Sequence, residues 1–377
     1  MDIVKYLEKI GKEELNEGHV NVLSDDKLYD IDEIKIDKKG FERFGMIFFN
    51  KTMVLNLGEL FYNQRLIGAR TRIPNTILEI ENKNNFLMEL FLDGSSDLET
   101  IKNLENLRNL SRLWLADTSI NNINAIELYD NLRLKVLSIA NSKIKSLRGV
   151  EKFENLNALN ISYLNVTNTD LRYISKLKEL TNLFISFCGF TKIIDLSTLE
   201  NLEMLWANGV IFDEILLHKK AVKKIFQFQL NNCSIYDGKE LLDKYVSIRR
   251  LSLNNNHIVD ISWLKKYDKL VDASIQNQEI KLELQISNNK LYCSNPLIDY
   301  YGEELLIEEL PLDCTLVDGK FYWDKEKVSD KLQKKAEWEE KIYFDYFTGD
   351  LYKYVIFTGN LIFTIPSKIR EEIIVMK

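Results

Sequence analysis

The feature that most restricts what this chain can fold into is a short apolar pair that returns every 22 to 24 residues. Its first members are Leu90, Leu113, Leu137, Leu159, Leu183, Leu205, Phe228, Leu251 and Ala273. Two positions on sit Leu92, Leu115, Ile139, Ile161, Ile185, Ala207, Leu230, Leu253 and Ile275. Three positions back sit Leu87, Leu110, Leu134, Leu156, Leu180, Leu202, Ile225, Ile248 and Leu270. Two apolar residues separated by one other have the period of a β-strand with both on the same face. One unit this short cannot bury that face alone, so successive units must stack and share a core. Seven positions after each anchor from Leu113 onward an apolar residue returns, from Ile120, Ile144 and Val166 through Phe190 and Phe212 to Ile235, Ile258 and Ile280.

The pattern L-x-x-L-x-L followed by a small polar residue resembles the leucine-rich repeat family, over about residues 84–288. The best single match is LSLNNNHIVDISWL, Leu251 to Leu264. The nearest subtype is the 22-residue class with short convex segments, shared by protein-phosphatase regulatory subunits and bacterial internalins. The resemblance implies an α/β repeat solenoid, a curved array with a parallel concave sheet. Nine strands stacked about 4.8 Å apart would make a sheet on the order of 40 Å long. We divide the chain into an amino-terminal cap (residues 1–83), the array (84–288) and a carboxyl-terminal cap (289–377), since a solenoid's open ends need cover.

The flanks lack the period. A helix is expected over Asp2 to Asn16, strands over Met46 to Phe49 and Thr52 to Leu57, and a turn at Pro74 and Asn75. The amino-terminal segment has room for a degenerate repeat. Beyond Asn288 a charged helix is expected from Asp324 to Lys341. It would be followed by aromatic strands joined by hairpin turns at Thr348-Gly349-Asp350 and Thr358-Gly359-Asn360.

Five residues after each anchor the series runs Ser95, Thr118, Ser142, Leu164, Cys188, Val210, Cys233, Asn256 and Gln278. A polar side chain buried at this turn can bond backbone groups of the neighbouring coil, which water cannot reach. Ser95, Thr118, Ser142, Cys188, Cys233 and Asn256 are therefore expected to form a structural ladder. A thiol buried there is inert rather than reactive. Cys293 and Cys314 fall outside the array. End-closing disulfides in secreted members of the family keep a bond between them open, but free thiols are the expectation for a start that lacks a secretory leader. That start, and the absence of a spanning apolar run, also set the expectation of a cytoplasmic protein without a membrane partner.

Catalytic, metal and cofactor signatures are absent. His19, His218 and His257 lie far apart, and no phosphate loop, nucleophile elbow or metal-ligand spacing occurs. The acidic run EELLIEELPLD reads as a solvated face. A net charge of −7 offers no basic field for nucleic acid. We expect a non-enzymatic protein with no cofactor.

Binding is expected on the outward-pointing residues between the strand leucines. These are Phe91, Trp114, Ser138, Asn160, Phe184, Trp206, Gln229, Ser252 and Ser274. Phe91, Trp114, Phe184 and Trp206, with Tyr163 and Phe187 at the rim and Arg112 and Arg250 on the preceding position, form the candidate site for a protein partner on the concave face. Toward the carboxyl end this face turns polar, through Asn231, Asn232, Asn254, Asn255, Gln276 and Asn277. That gradient would suit a partner with an apolar and a hydrogen-bonding end. A bacterial immunity protein that masks a toxin or enzyme is a narrower form of the same expectation. A small functional domain carried at residues 289–377 is the alternative.

Overall fold

A computed structural model describes residues 31–36, 45–49, 68–70, 76–80, 87–127, 133–307, 309–324, 334–344, 353–366 and 369. Its strands in chain order are β1 (Ile31–Ile36), β2 (Gly45–Phe49), β3 (Gly68–Arg70), β4 (Ile77–Glu79), β5 (Glu89–Phe91), β6 (Thr100–Lys102), β7 (Arg112–Trp114), β8 (Val136–Ser138), β9 (Ala158–Asn160), β10 (Asn182–Phe184) and β11 (Thr191–Leu196). They continue as β12 (Met204–Trp206), β13 (Ile211–Leu217), β14 (Gln227–Gln229), β15 (Arg250–Ser252), β16 (Asp272–Glu283), β17 (Gln285–Ser287), β18 (Lys290–Ser294), β19 (Cys314–Val317), β20 (Lys320–Asp324), β21 (Lys334–Phe344) and β22 (Lys353–Thr364). The chain forms two compact units, Met1–Leu205 with Phe212–Ala221 and Trp206–Ile211 with Val222–Lys377.

In the first unit β2, β3, β5, β7, β8, β9 and β10 run parallel, each paired to the next. The register aligns Ile47 with Ala69, and Ala69 with the anchors Leu90, Leu113, Leu137, Leu159 and Leu183 in turn. Two strands of this ladder, β2 and β3, lie before the periodic region that the sequence pattern marks. β1 adds antiparallel to β2. Leu90, Leu113, Leu137, Leu159 and Leu183 are fully buried, each worth about 2 kcal/mol of apolar burial. Between the sheet strands the chain crosses in short pieces: single 3-10 turns such as Ile123–Ala125 and Val150–Lys152, a helical turn, Leu171–Ile174, and the two-stranded pairs β4–β6 and β11–β13. These crossings are short because the units are short.

In the second unit β14, β15 and β16 continue the same pattern, with Phe228 beside Leu251 beside Ala273. β22 then pairs parallel to β16, placing Val355 beside Ala273, and β21 closes the sheet antiparallel to β22. A separate four-stranded antiparallel sheet, β17-β18-β20-β19, packs Phe321 and Trp323 on Phe363 at ring distances of 5.0 and 4.9 Å.

Two expectations for the carboxyl-terminal segment are corrected. The charged helix expected from Asp324 to Lys341 is strand at both described ends, in β20 and β21. In β21, Ala336, Trp338 and Ile342 are buried while Lys335, Glu337, Glu339 and Lys341 are exposed. That period of two overrides the charged composition. Thr358-Gly359-Asn360 is not a hairpin turn but the middle of β22. The glycine serves close approach: a Cβ at Gly359 would collide with the Gln278 carbonyl oxygen and with the Trp338 ring. The expected helix Asp2 to Asn16, strand Thr52 to Leu57, turn at Pro74 and Asn75, and turn at Thr348 to Asp350 lie outside the described residues.

Candidate functional site

The first unit carries most of the candidate residues. Registered pairing of β5 with β7 sets Glu89 opposite Arg112 and Phe91 opposite Trp114. Both pairs make contact. The Arg112 guanidinium reaches the Glu89 carboxylate at 2.7 Å, and the Phe91 and Trp114 rings stack at 3.9 Å with planes 10° apart. Stacking leaves both rings half-buried, as is Phe184 on β10. Ser138, between these aromatics along the sheet, is buried. The strand aromatics therefore stand less free than an isolated outward residue would.

The rim differs. Four positions after each anchor the backbone adopts positive φ in every unit: Gly94, Asp117, Asn141, Tyr163, Phe187, Gly209, Asn232, Asn255 and Asn277, with φ from 50° to 76°. This conformation turns the N–H toward the next coil, so that Asp117 donates to the Ala140 carbonyl and Tyr163 to that of Ser186. Seven of the nine residues are Gly, Asp or Asn, the types that tolerate it. Tyr163 and Phe187 are not, and each carries about 1–2 kcal/mol of backbone strain. Their rings stack at 4.8 Å with planes 17° apart, and they remain 57% and 45% exposed.

In the second unit Trp206 is half-buried on β12, and Arg250 on β15 faces Asp272 at 3.5 Å. Burial pushes the Asp272 carboxyl above its ordinary value, against the pull of the Arg250 charge. The polar end of the sheet face is engaged internally. Asn208 Oδ1 accepts from the Asn231 N–H, Asn231 Oδ1 from the Asn254 N–H, and Asn254 Oδ1 from the Gln276 N–H, at 2.7–2.9 Å. The Ser252 and Ser274 hydroxyls donate into the same ladder. Asn232, Asn255 and Asn277 hold the left-handed turns. The polar gradient read from the sequence is thus largely scaffold, not a free hydrogen-bonding surface.

A second ladder runs inside the coils. The Cys188 thiol donates to the Ile161 carbonyl at 3.1 Å, the Cys233 thiol to that of Ala207 at 3.2 Å, and Asn256 Nδ2 to that of Leu230 at 2.9 Å. Each acceptor is two residues past the preceding anchor. Asn256 also bonds the Leu253 carbonyl and accepts from the Cys233 and Ile235 N–H groups. Thr118 bonds its own coil, at the Leu115 carbonyl. Ser95 is buried, with its N–H on Leu92. Ser142 departs from the expectation, because its hydroxyl is buried with no hydrogen-bond partner among the described residues. Burial pushes the Cys188 thiol up to about 12 and that of Cys233 up to about 11.

The strands in register at one period, the left-handed turn in each unit and the inner polar ladder decide the architecture. The fold is a leucine-rich repeat solenoid. No family model matches the sequence, and no curated protein matches it. Among solved structures, the chain is similar to Listeria monocytogenes InlP, at 15% identity over 95% of each chain with a TM-score of 0.49. It is also similar to internalin C2 from the same organism, at 19% identity over 48% of this chain and 78% of that one with a TM-score of 0.41. A third likeness is the leucine-rich repeat domain of APL1, at 15% identity over 64% and 67% with a TM-score of 0.37.

The four cysteines of this repeat protein are free thiols. Cys293 on β18 and Cys314 on β19 are separated by the whole of β20, where they pair with Phe321 and Trp323. Two strand spacings, about 9.6 Å, exceed the Cα separation of about 7 Å that a disulfide spans. Among the described residues no group of three potential metal ligands is present, and no helix is long and apolar enough to cross a membrane.

Sequence reasoning missed the continuation of the sheet face by β22 and β21. The signal was there: Val355, Phe357, Leu361 and Phe363 are buried in an unbroken period of two through Gly359. The outward set on β22 is Ile356, Thr358 and Asn360. Opposite them in register on β21 stand Lys341, Glu339 and Glu337.

Proposed function

We propose that this protein is a non-enzymatic interaction module whose exposed sheet face and adjoining rim, the concave side of a leucine-rich repeat array, bind a protein partner. The observation that carries this reading is the stacked pair Tyr163 and Phe187. Two aromatic rings are held exposed on strained backbone where the other units place Gly, Asp or Asn. Strain of this kind marks sites held for function, and exposed aromatic rings are the side chains that anchor protein interfaces. The Phe91–Trp114 stack with Arg112, together with Phe184, extends the apolar surface along the same unit. In the second unit, taken by itself, Trp206 and Arg250 are proposed as partner-binding residues. A cytoplasmic setting, where its four thiols stay reduced, is part of the same reading.

The test compares partners recovered from the native organism by wild type and by a Tyr163→Asn/Phe187→Asn double variant. Asn is already accepted at this turn, in Asn141 and Asn232, so the variant keeps the fold. A partner retained by wild type and lost from the variant supports the reading. Equal recovery of every partner overturns it.

A further inference from the structure

The continuation of the sheet face in the second unit borders a cleft of about 910 Å³. Its floor is made by β16, β22 and β21. Gln276 and Asn277, at the register shift of β16 against β22, lie beside Thr358, whose hydroxyl accepts from the Asn277 N–H at 3.1 Å. The segment bearing Leu306 and Glu309 also lines it. The volume falls within the range of built ligand sites, about 300–1,000 Å³.

The groups in this cleft differ from those on the neighbouring face. Asn231, Asn254 and Gln276 are committed to their ladder, whereas the half-buried Asn360 side chain makes no hydrogen bond among the described residues. Leu306 is 80% exposed. Glu309, Glu337 and Glu339 meet a single lining cation, Lys341. Lys335 and Lys341 pair with Glu337 and Glu339 along β21, and all four side chains are about half exposed or more. Solvent screens such pairs, which leaves the carboxylates available to a competing cation.

We propose that this cleft is a second binding site, for an extended, lysine- or arginine-bearing segment of a partner protein. The Asn360 amide has a donor and an acceptor to offer a peptide backbone. Glu309, Glu337 and Glu339 receive the basic side chains, and Leu306 with Ile356 receives an apolar one. The site is distinct from the Tyr163–Phe187 rim and does not depend on it.

The experiment uses the full chain and a short fluorescein-labelled peptide of lysine and serine with one central leucine, read by anisotropy. A counterpart with glutamate for lysine is the control. The site requires wild type to bind the lysine peptide and not the glutamate peptide, with affinity falling as salt rises. A Glu309→Gln/Glu337→Gln/Glu339→Gln variant, altered only at exposed positions, should bind about tenfold more weakly. Asn360→Ala should weaken binding with its salt dependence unchanged. The Tyr163→Asn/Phe187→Asn variant should bind as wild type does. No binding by wild type, equal binding of both peptides, or loss of binding only in the aromatic variant would overturn the proposal.

Discussion

The rings of Tyr163 and Phe187 lie parallel, 4.8 Å apart, on two adjacent turns whose backbones are both left-handed. Stacking is worth about 0.5–1.5 kcal/mol, and the strain about 1–2 kcal/mol per residue. The Tyr163→Asn/Phe187→Asn variant should therefore unfold in denaturant at the wild-type midpoint or above it. A clear drop in stability would mean that the pair is held for packing alone.

Asn256 satisfies buried N–H and C=O groups on two coils at once. Asn256→Ala should cost about 3 kcal/mol or more, because two buried N–H groups lose their acceptor. Ser142→Ala, by contrast, removes a buried hydroxyl without a partner among the described residues and should be neutral or slightly stabilising. Equilibrium unfolding of the two variants side by side separates a working rung from an idle one.

Gly359→Ala places a methyl group against the Gln278 carbonyl and the Trp338 ring. Backbone cannot yield as a flexible side chain does, so the expected loss is about 3 kcal/mol. If Thr358-Gly359-Asn360 were a solvent turn, the substitution would cost far less. A thermal melt decides between them.

Burial holds the Cys188 and Cys293 thiols near 12 and the Cys233 thiol near 11, against 9.0 for an exposed one. With these pKa values raised in the folded state, the stabilisation is complete below pH 9. It is lost as pH climbs toward 11–12, because the unfolded chain ionises first. The melting temperature should accordingly fall above about pH 9. A disulfide-exchange reagent at pH 8 should label Cys314 rapidly, and the other three only on unfolding. Fast reaction at Cys188 or Cys233 would contradict their place in the ladder.

Much of the architecture is legible along the chain because each leucine anchor has one way to be buried. At a period of 22 to 24 residues, Leu113 or Leu183 is covered only by the equivalent residues of its neighbours, so the repeat dictates parallel strands in register. The inner ladder is legible for the same reason, through the polar series at Cys188, Cys233 and Asn256. Outward positions were legible too, since alternation assigns them, but their surroundings were not. Stacking half-buries Phe91 and Trp114, and the Asn231–Asn254 ladder is closed by backbone groups 22 or 23 residues away.

What the sequence determined by itself is the repeat: its period, its strands and the side chain each strand turns inward. Only the tertiary structure decided what lies next to what. It put β22 beside β16, made Gly359 a point of close approach, left the Ser142 hydroxyl without a partner among the described residues, and set Asn360 and three glutamates around a cleft. The physical reason is that local alternation fixes the face of a residue, whereas hydrogen bonds, close contacts and charge depend on the strand packed beside it.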